Sequence, residues 1–295
     1  MEEVACNLCE TRNFTVARTS TVSDRLYGAY CMTNHAAGWH YRIVRCKNCG
    51  LLYCSPRPTA DQLAEFYAGL EDTAYAAEKD GRTRTAVMQV GDLLRFAPHG
   101  RLLELGSACG FFLNAARDAG FETVGIEPSH WARSYAKENF GLSLLEGALE
   151  THGFPDQHFD AVCMFDVLEH LPDPRGTLVE IARVTRSGGV VCVSTPDAGS
   201  WVARLLGGSW WGLKPGHLFY FSRQTLSRLL SLARIDLCEV RVLVREFTLA
   251  YWVRSLKPYS GFLWPLLTPL TRDPLGQRTL RVGFPDQMAV IARKR

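Results

Sequence analysis

Four cysteines stand in two C-x-x-C knuckles, Cys6–Cys9 and Cys46–Cys49, with thirty-six residues between them. Each knuckle lets two thiolates bite one ion from a tight turn. Together they complete a tetrahedral sulfur shell with no open position, the donor set that suits structural Zn2+, free thiols or an iron site being the alternatives. A different chemistry is written in Glu104-Leu105-Gly106-Ser107-Ala108-Cys109-Gly110. The small residues of such a turn leave backbone N–H groups uncovered at the start of a helix, open to a ligand. The turn lacks the G-x-G-x-x-G spacing, and Glu104 would repel a pyrophosphate, which argues against a dinucleotide. The same carboxylate can hold an ammonium group, so a cationic amino-acid ligand fits better. Glu127 follows about twenty residues later, where nucleotide-binding folds place an acid to grip ribose hydroxyls.

These residues need elements to position them. Leu102 to Leu105 reads as a short buried strand ending at a glycine, and Phe112, Leu113, Ala115, Ala116 and Ala119 then keep helical spacing up to Gly120. Residues 122–126 form a second strand, which delivers Glu127 at its C-terminal end. Pro128-Ser129 opens a helix with Trp131 and Tyr135 one turn apart. Leu142–Glu146 is a third strand, and Phe159–Phe165 is a fourth, nearly continuous in apolar residues as a central strand should be. A helix over 175–185, a fifth strand over 190–194 and a last strand over 287–292 complete the pattern. Alternating strands and helices predict an α/β fold, a doubly wound, Rossmann-like sheet. Residues 82–96 read as an amphipathic helix with Val87, Val90, Leu93 and Leu94 on its inner face. In such a sheet the fourth strand neighbours the first at the topological switch. The loop after it, Asp166-Val167-Leu168-Glu169-His170, therefore faces the ligand's reactive end. His170 is the first candidate for a general base there, because an unperturbed imidazole titrates near working pH. A histidine that only shapes its loop through a backbone hydrogen bond is the alternative.

The stretch from Glu104 to Gly110 resembles motif I of the class I S-adenosylmethionine-dependent methyltransferases, with Ala108 at the middle glycine. The order of paired cysteines, Ser55-Pro56-Arg57-Pro58, a short Thr59-capped helix ending in Tyr67 and then motif I resembles a bacterial subgroup of that family. Those proteins carry a small zinc-binding module ahead of the catalytic domain and often act on sugars or other small metabolites. The resemblance implies a seven-stranded sheet whose last strand inserts antiparallel. It implies a zinc-binding module over 1–58 and a methyltransferase domain over 59–295, with a flap at 196–221 and a cover at 247–285 on the acceptor side. It implies S-adenosylmethionine as cofactor, with Glu104, Gly106, Ser107, Ala108 and Gly110 at its methionine end. Glu127 and Pro128 belong to the ribose, Ala148 and Leu149 to the adenine, and Asp166 is a further cofactor-binding residue. The family usually has an acid near Ala148, so backbone groups or Glu150 would serve the adenine here. Glu169 and His170 match a Glu-His pair beside the transferred methyl group. His217, before the aromatic run Phe219-Tyr220-Phe221, ranks with His170 as acid–base residue or acceptor anchor, a packed histidine being the alternative. Trp210 and Trp211 in a glycine-containing loop suggest a mobile flap with flat surfaces for a sugar, an aromatic or a lipid-like acceptor.

Composition bounds the rest. At 295 residues the chain has room for one large and one small domain, and a formal charge of +3 argues against nucleic acid as partner. The N-terminus has neither a basic start nor an apolar core, so no signal peptide is expected, and ten cysteines in pairs and buried-looking singles point to metal and packing in a cytoplasmic protein. Aromatic residues Tyr27, Tyr30, Trp39 and Tyr41 lie between the knuckles, with Cys31, His35 and His40. Residues 247–270 are strongly apolar, but Arg254, Lys257 and several prolines break them. They suit a cover over the acceptor pocket, a subunit contact or a peripheral membrane foot, and not a membrane span. Three other functions compete with methyl transfer to a small acceptor. They are a zinc-module RNA base methyltransferase, which needs a basic track; a non-catalytic zinc-stabilised binding protein; and a nicotinamide dehydrogenase, which the missing glycine fingerprint disfavours.

Overall fold

A computed structural model describes residues 1–22 and 38–295, with the side chains of Pro258, Tyr259 and Phe262 left aside. Tyr27, Tyr30, Cys31 and His35 lie outside the described residues. In chain order the elements are β1 (Phe14–Arg18), β2 (Ile43–Cys46), β3 (Leu52–Cys54), α1 (Ala60–Ala68), α2 (Thr73–Ala77), α3 (Lys79–Leu94), β4 (Arg101–Leu105), α4 (Phe111–Asp118), β5 (Glu122–Ile126) and α5 (His130–Phe140). They continue with β6 (Phe159–Phe165), α6 (Pro174–Val184), β7 (Thr185–Pro196), α7 (Trp201–Leu206), β8 (Phe219–Tyr220), α8 (Arg223–Leu232), β9 (Ile235–Thr248), α9 (Leu249–Ser255), α10 (Lys257–Ser260), α11 (Trp264–Leu267) and β10 (Thr279–Lys294).

The main sheet has the order β5-β4-β6-β7-β10-β9, with the first four strands parallel and β10 antiparallel to both its neighbours. Side chains alternate faces along a strand, and the two faces are separately covered. Leu102, Ala161 and Cys163 pack under α3, α4 and α5, while Leu103, Val162 and Met164 pack under α6 and α8. The chain steps from β4 outward to β5 and returns to β6 on the other side of β4. That reversal opens a crevice beyond the C-terminal ends of β4 and β6.

The expected seventh strand is reduced to one parallel bridge, Ile126 with Leu145. Leu145 N–H donates to Gly125 O at 2.8 Å and Glu127 N–H to Leu145 O at 2.9 Å, so the segment still lies on the β5 edge. Left-handed glycines at 141 and 147 confine it to a few residues. The amphipathic helix forms as α3, but Val87 is 59% exposed, and the inner face is Ala86, Val90 and Leu93. The i, i+4, i+7 spacing of those three decides the face.

The knuckles sit on a second, antiparallel sheet, β1-β2-β3-β8. Its fourth strand comes from residues 219–220, paired Leu52 to Tyr220 and Tyr53 to Phe219. The cysteine-bearing sheet is thus completed by the segment that carries His217. It also braces the loop after His170: Asn7 Nδ2 donates to Asp173 Oδ1 at 2.7 Å, Arg175 N–H to Asn7 Oδ1 at 2.9 Å, and Arg57 to the Pro172 carbonyl at 2.7 Å.

Candidate active site and cysteine cluster

A cavity of about 970 Å3 occupies the crevice, and most of the predicted site residues line it. At one end lies the turn after β4. Gly106, Ala108 and Gly110 all have positive φ, at +67°, +46° and +81°. A Cβ on Gly106 would stand 2.5 Å from Val167 Cγ2, so only glycine fits there. Gly110 has another task. It does not line the cavity; it lets α4 approach α5, where a Cβ would meet Leu142 and Ala136 at 2.9 and 3.1 Å. Ser107 is buried and its hydroxyl donates to Glu104 O at 3.1 Å, closing the turn.

Glu104 lines the cavity yet is only 4% exposed, and its Oε2 has no hydrogen-bond partner. Burial pushes its carboxyl well above the usual range, helped by the negative charge of Glu127. Such a carboxyl becomes the counterpart a cation requires once the cation's charge ionises it. Glu127 accepts from Ala108 N–H at 2.7 Å and from Ser129 N–H at 2.8 Å, which fixes its carboxylate across the turn. Burial still raises its pKa, against those donors and Arg133. Pro128, Ala148, Leu149 and Glu150 line the same side of the cavity, with Glu150 accepting from the Thr177 hydroxyl at 2.6 Å.

At the other end Glu169, His170 and His217 bring their polar atoms within 4.8 Å of one another. Each imidazole places Nδ1 2.8 Å from a backbone carbonyl, that of Gly216 for His170 and that of Gly212 for His217. A carbonyl only accepts, so Nδ1 carries the proton in both rings and Nε2 carries the lone pair. The Tyr67 hydroxyl lies 2.9 Å from His170 Nδ1 as well. Glu169 is 1% exposed, and neither carboxylate oxygen finds a hydrogen-bond partner among the described residues. Burial, with repulsion from Asp166, pushes Glu169 up to about 8. Burial and the Lys214 ammonium push His170 down to about 4, and burial, then repulsion from His170 and Lys214, drives His217 well below its ordinary value. The cluster is therefore two neutral imidazoles and a carboxyl poised near working pH.

Asp166 also lines the cavity, at φ +56°, held by the Ser194 hydroxyl at 2.9 Å and by Arg245. Burial would raise its pKa, but the Arg245 guanidinium brings it below the usual carboxylate range. Arg245 on β9, Arg82 on α3 and Tyr67 on α1 all line the cavity, and no motif in the sequence marks them as site residues. Arg82 stacks over Tyr75 at 3.3 Å. The segment expected as a mobile flap is instead anchored: Trp210 is buried, and the indole N–H groups of Trp210 and Trp211 both donate to Asp286. Trp211, Pro215 and His217 from this segment, with Tyr251, Trp252 and Leu256 from the cover, wall the cavity.

The four knuckle thiols converge from their two turns, with all sulfurs within 4.8 Å of one another. Cys6 and Cys49 sulfurs are 3.4 Å apart, as are those of Cys9 and Cys46. A tetrahedral ion with bonds of about 2.3 Å needs sulfurs about 3.8 Å apart, so the donor set fits such an ion with little movement. Burial alone would raise Cys46, but N–H groups of Cys49 and Asn48 and the neighbouring thiols bring it to about 7, whereas burial lifts Cys49 to about 11. His40 is not part of the cluster; its Nδ1 bonds the Tyr41 carbonyl at 2.7 Å. Cys54, Cys109, Cys163 and Cys192 are buried single thiols. No helix among the described residues is long and apolar enough to cross a membrane.

A family model described as a methyltransferase domain matches residues 76–233. An uncharacterized methyltransferase of Schizosaccharomyces pombe is 36% identical over 88 residues, 26% of this chain and 32% of that protein. A ubiquinone biosynthesis O-methyltransferase of Vibrio cholerae is 30% identical over 101 residues, 32% of this chain and 41% of that protein. The chain thus spans less than half the length of these two relatives. A solved S-adenosylmethionine-dependent methyltransferase of Archaeoglobus fulgidus matches with a TM-score of 0.50 at 17% identity, covering 76% of this chain and all of that one, a likeness of fold.

Proposed function

The chain belongs to the S-adenosylmethionine-dependent methyltransferases, and from that premise we propose that it moves a methyl group to an oxygen, nitrogen or carbon of a small acceptor held in the cavity. The observation that carries the proposal is the shared space: the Glu104–Glu127 turn and the Glu169–His170–His217 cluster line one cavity. Bound S-adenosylmethionine supplies a methyl group on a sulfonium, an electrophile that already has a good leaving group.

The residues at the β4 end fit that cofactor. Glu104, buried with an orphaned oxygen, would hold its ammonium, Gly106 and Ala108 would let the methionine part approach the backbone, and Glu127 would accept from the ribose hydroxyls. Backbone groups around Ala148 and Leu149, with Glu150, would meet the adenine. At the acceptor end the two Nε2 lone pairs and the Glu169 carboxylate offer three hydrogen-bond acceptors. They suit a donor group, a hydroxyl or an amine, that must lose its proton as the methyl arrives. Glu169, pushed up to about 8, takes that proton more readily than His170 at about 4, so the imidazoles orient the acceptor and the carboxylate serves as base. Sugars, lipid-like molecules and natural-product intermediates are the acceptor classes the apolar walls accommodate. The knuckle thiols would hold structural zinc, whose effect on the site is to fix the sheet that braces residues 172–175.

The test is cofactor binding by titration calorimetry. Glu127→Ala should weaken it at least about tenfold, because charge-assisted hydrogen bonds contribute about 1.5–3 kcal/mol. Unchanged affinity would remove Glu127 from the ribose site.

A further inference from the structure

The cover that follows β9 has an outer surface as well as an inner one. Its inner side closes the cavity through Tyr251, Trp252 and Leu256. Beyond α9, α10 packs on α9 and on the turn at 261–263, and α11 packs on the turns at 261–263 and 268–271, the latter resting on α9. Between α9 and β10 the chain leaves large apolar side chains in water: Leu256 is 51% exposed, Leu263 45%, Leu266 72% and Leu275 37%. Single exposed leucines need no explanation, but four of them within residues 256–275, on short helices and turns, do.

Charge is concentrated in the same place. Residues 249–281 contain Arg254, Lys257, Arg272, Arg278 and Arg281 against Asp273 alone, a net +4. The whole chain carries +3, so everything outside this segment sums to −1. Arg281 is held by Glu246 at 2.7 Å, while Arg254, Lys257, Arg272 and Arg278 take part in no ion pair among the described residues. Lys257 lies over the Trp264 ring at 5.6 Å, a cation beside an amphipathic ring.

We propose that residues 249–281 dock on an anionic lipid bilayer, with the exposed leucines at the boundary of headgroups and acyl chains and those four cations on lipid phosphates. Apolar side chains rimmed by Lys and Arg bind such surfaces by both terms together. A second copy of the chain is the weaker occupant, because a two-fold contact would set +4 against +4. A polyanion such as RNA would use the cations but leave the leucines in water. Leu256, exposed and also part of the cavity wall, puts the cavity mouth beside the docked face. The inference does not depend on methyl transfer.

The experiment is flotation of the full-length chain with vesicles of phosphatidylcholine alone and with one third phosphatidylglycerol. The wild type should float with the anionic vesicles only, and release when salt is raised from about 0.05 to about 0.5 M. A cation near such a surface contributes about fivefold in binding, so the double variant Lys257→Glu, Arg272→Glu should lose at least about 25-fold. Leu263→Asp with Leu266→Asp should lose at least about tenfold at an unchanged thermal midpoint, which separates lost docking from lost folding. Absence of binding to either vesicle overturns the proposal. So does anionic binding that the leucine variants retain, which would be adsorption of charge alone. Self-association in solution that those variants abolish would assign the face to a second copy instead.

Discussion

Glu104→Gln should move two properties in opposite directions. Glu104 is buried, one oxygen is orphaned, and its pKa is raised well above the ordinary value by burial and by Glu127. A carboxyl with a raised folded-state pKa takes up a proton on folding, so its stability contribution is full below the unfolded value and is lost as pH climbs through the folded one. Glutamine is neutral at every pH and removes that loss. The variant should therefore melt higher than the wild type above neutral pH, where the wild-type carboxyl is ionised against its burial, and the difference should shrink as pH falls. The cofactor's ammonium, by contrast, requires the ionised carboxylate. Loss of that charge-assisted contact should weaken binding by about 1.5–3 kcal/mol, roughly ten- to a hundredfold. Wild-type binding should also release a proton, seen as a calorimetric heat that depends on the buffer's ionisation enthalpy, and affinity should fall as pH drops. The variant should lose part of that release. A Glu104→Gln variant that binds as tightly as wild type, with the same buffer dependence, would show that Glu104 does not face the ammonium.

Three further outcomes are expected. Ala108 sits at φ +46°, where a side chain costs about 1–2 kcal/mol, so Ala108→Gly should raise the thermal midpoint, and a fall would show that the methyl group packs favourably. Glu169, pushed up to about 8, must be ionised to accept a proton, so turnover should rise with pH through that value and the rise should vanish in Glu169→Gln; a flat wild-type profile would refute the role. Metal analysis should find one zinc per chain, lost in Cys46→Ser, with acceptor turnover falling more than cofactor affinity because the module braces residues 172–175; intact folded protein without metal would remove the claim.

The β4 end was legible in the sequence because its chemistry is local. Glu104, the glycines and Glu127 follow from one strand–turn–helix–strand unit, and the structure needs only parallel pairing of β4 with β5 to bring them together. The cysteines announced themselves by spacing. The acceptor end is assembled across the chain, and there the reading thinned. Arg245 belongs to β9, whose Asp236, Glu239, Arg241, Arg245 and Glu246 interrupt the apolar pattern that identified the other strands. Tyr67 reaches His170 from over a hundred residues away. Trp210 and Trp211 read as loop aromatics because their anchor, Asp286, lies at least 75 residues downstream. No local pattern records such partners. The shift of His170 down and Glu169 up likewise arises from burial and from Lys214 and Asp166, which spacing cannot report.

The shared strand β8 bears on any attempt to graft this protein's selectivity onto a relative. Residues 1–58 supply three strands of the small sheet, and the fourth is made only after residue 219 has emerged. A chimera cut at the linker after Cys54 would separate Tyr53 from Phe219 and leave an apolar edge on both fragments. A transplant that exchanges residues 1–58 and 210–221 as a matched pair keeps that seam closed. Recombination between homologues should therefore tolerate crossovers that move the two segments together and reject those that split them.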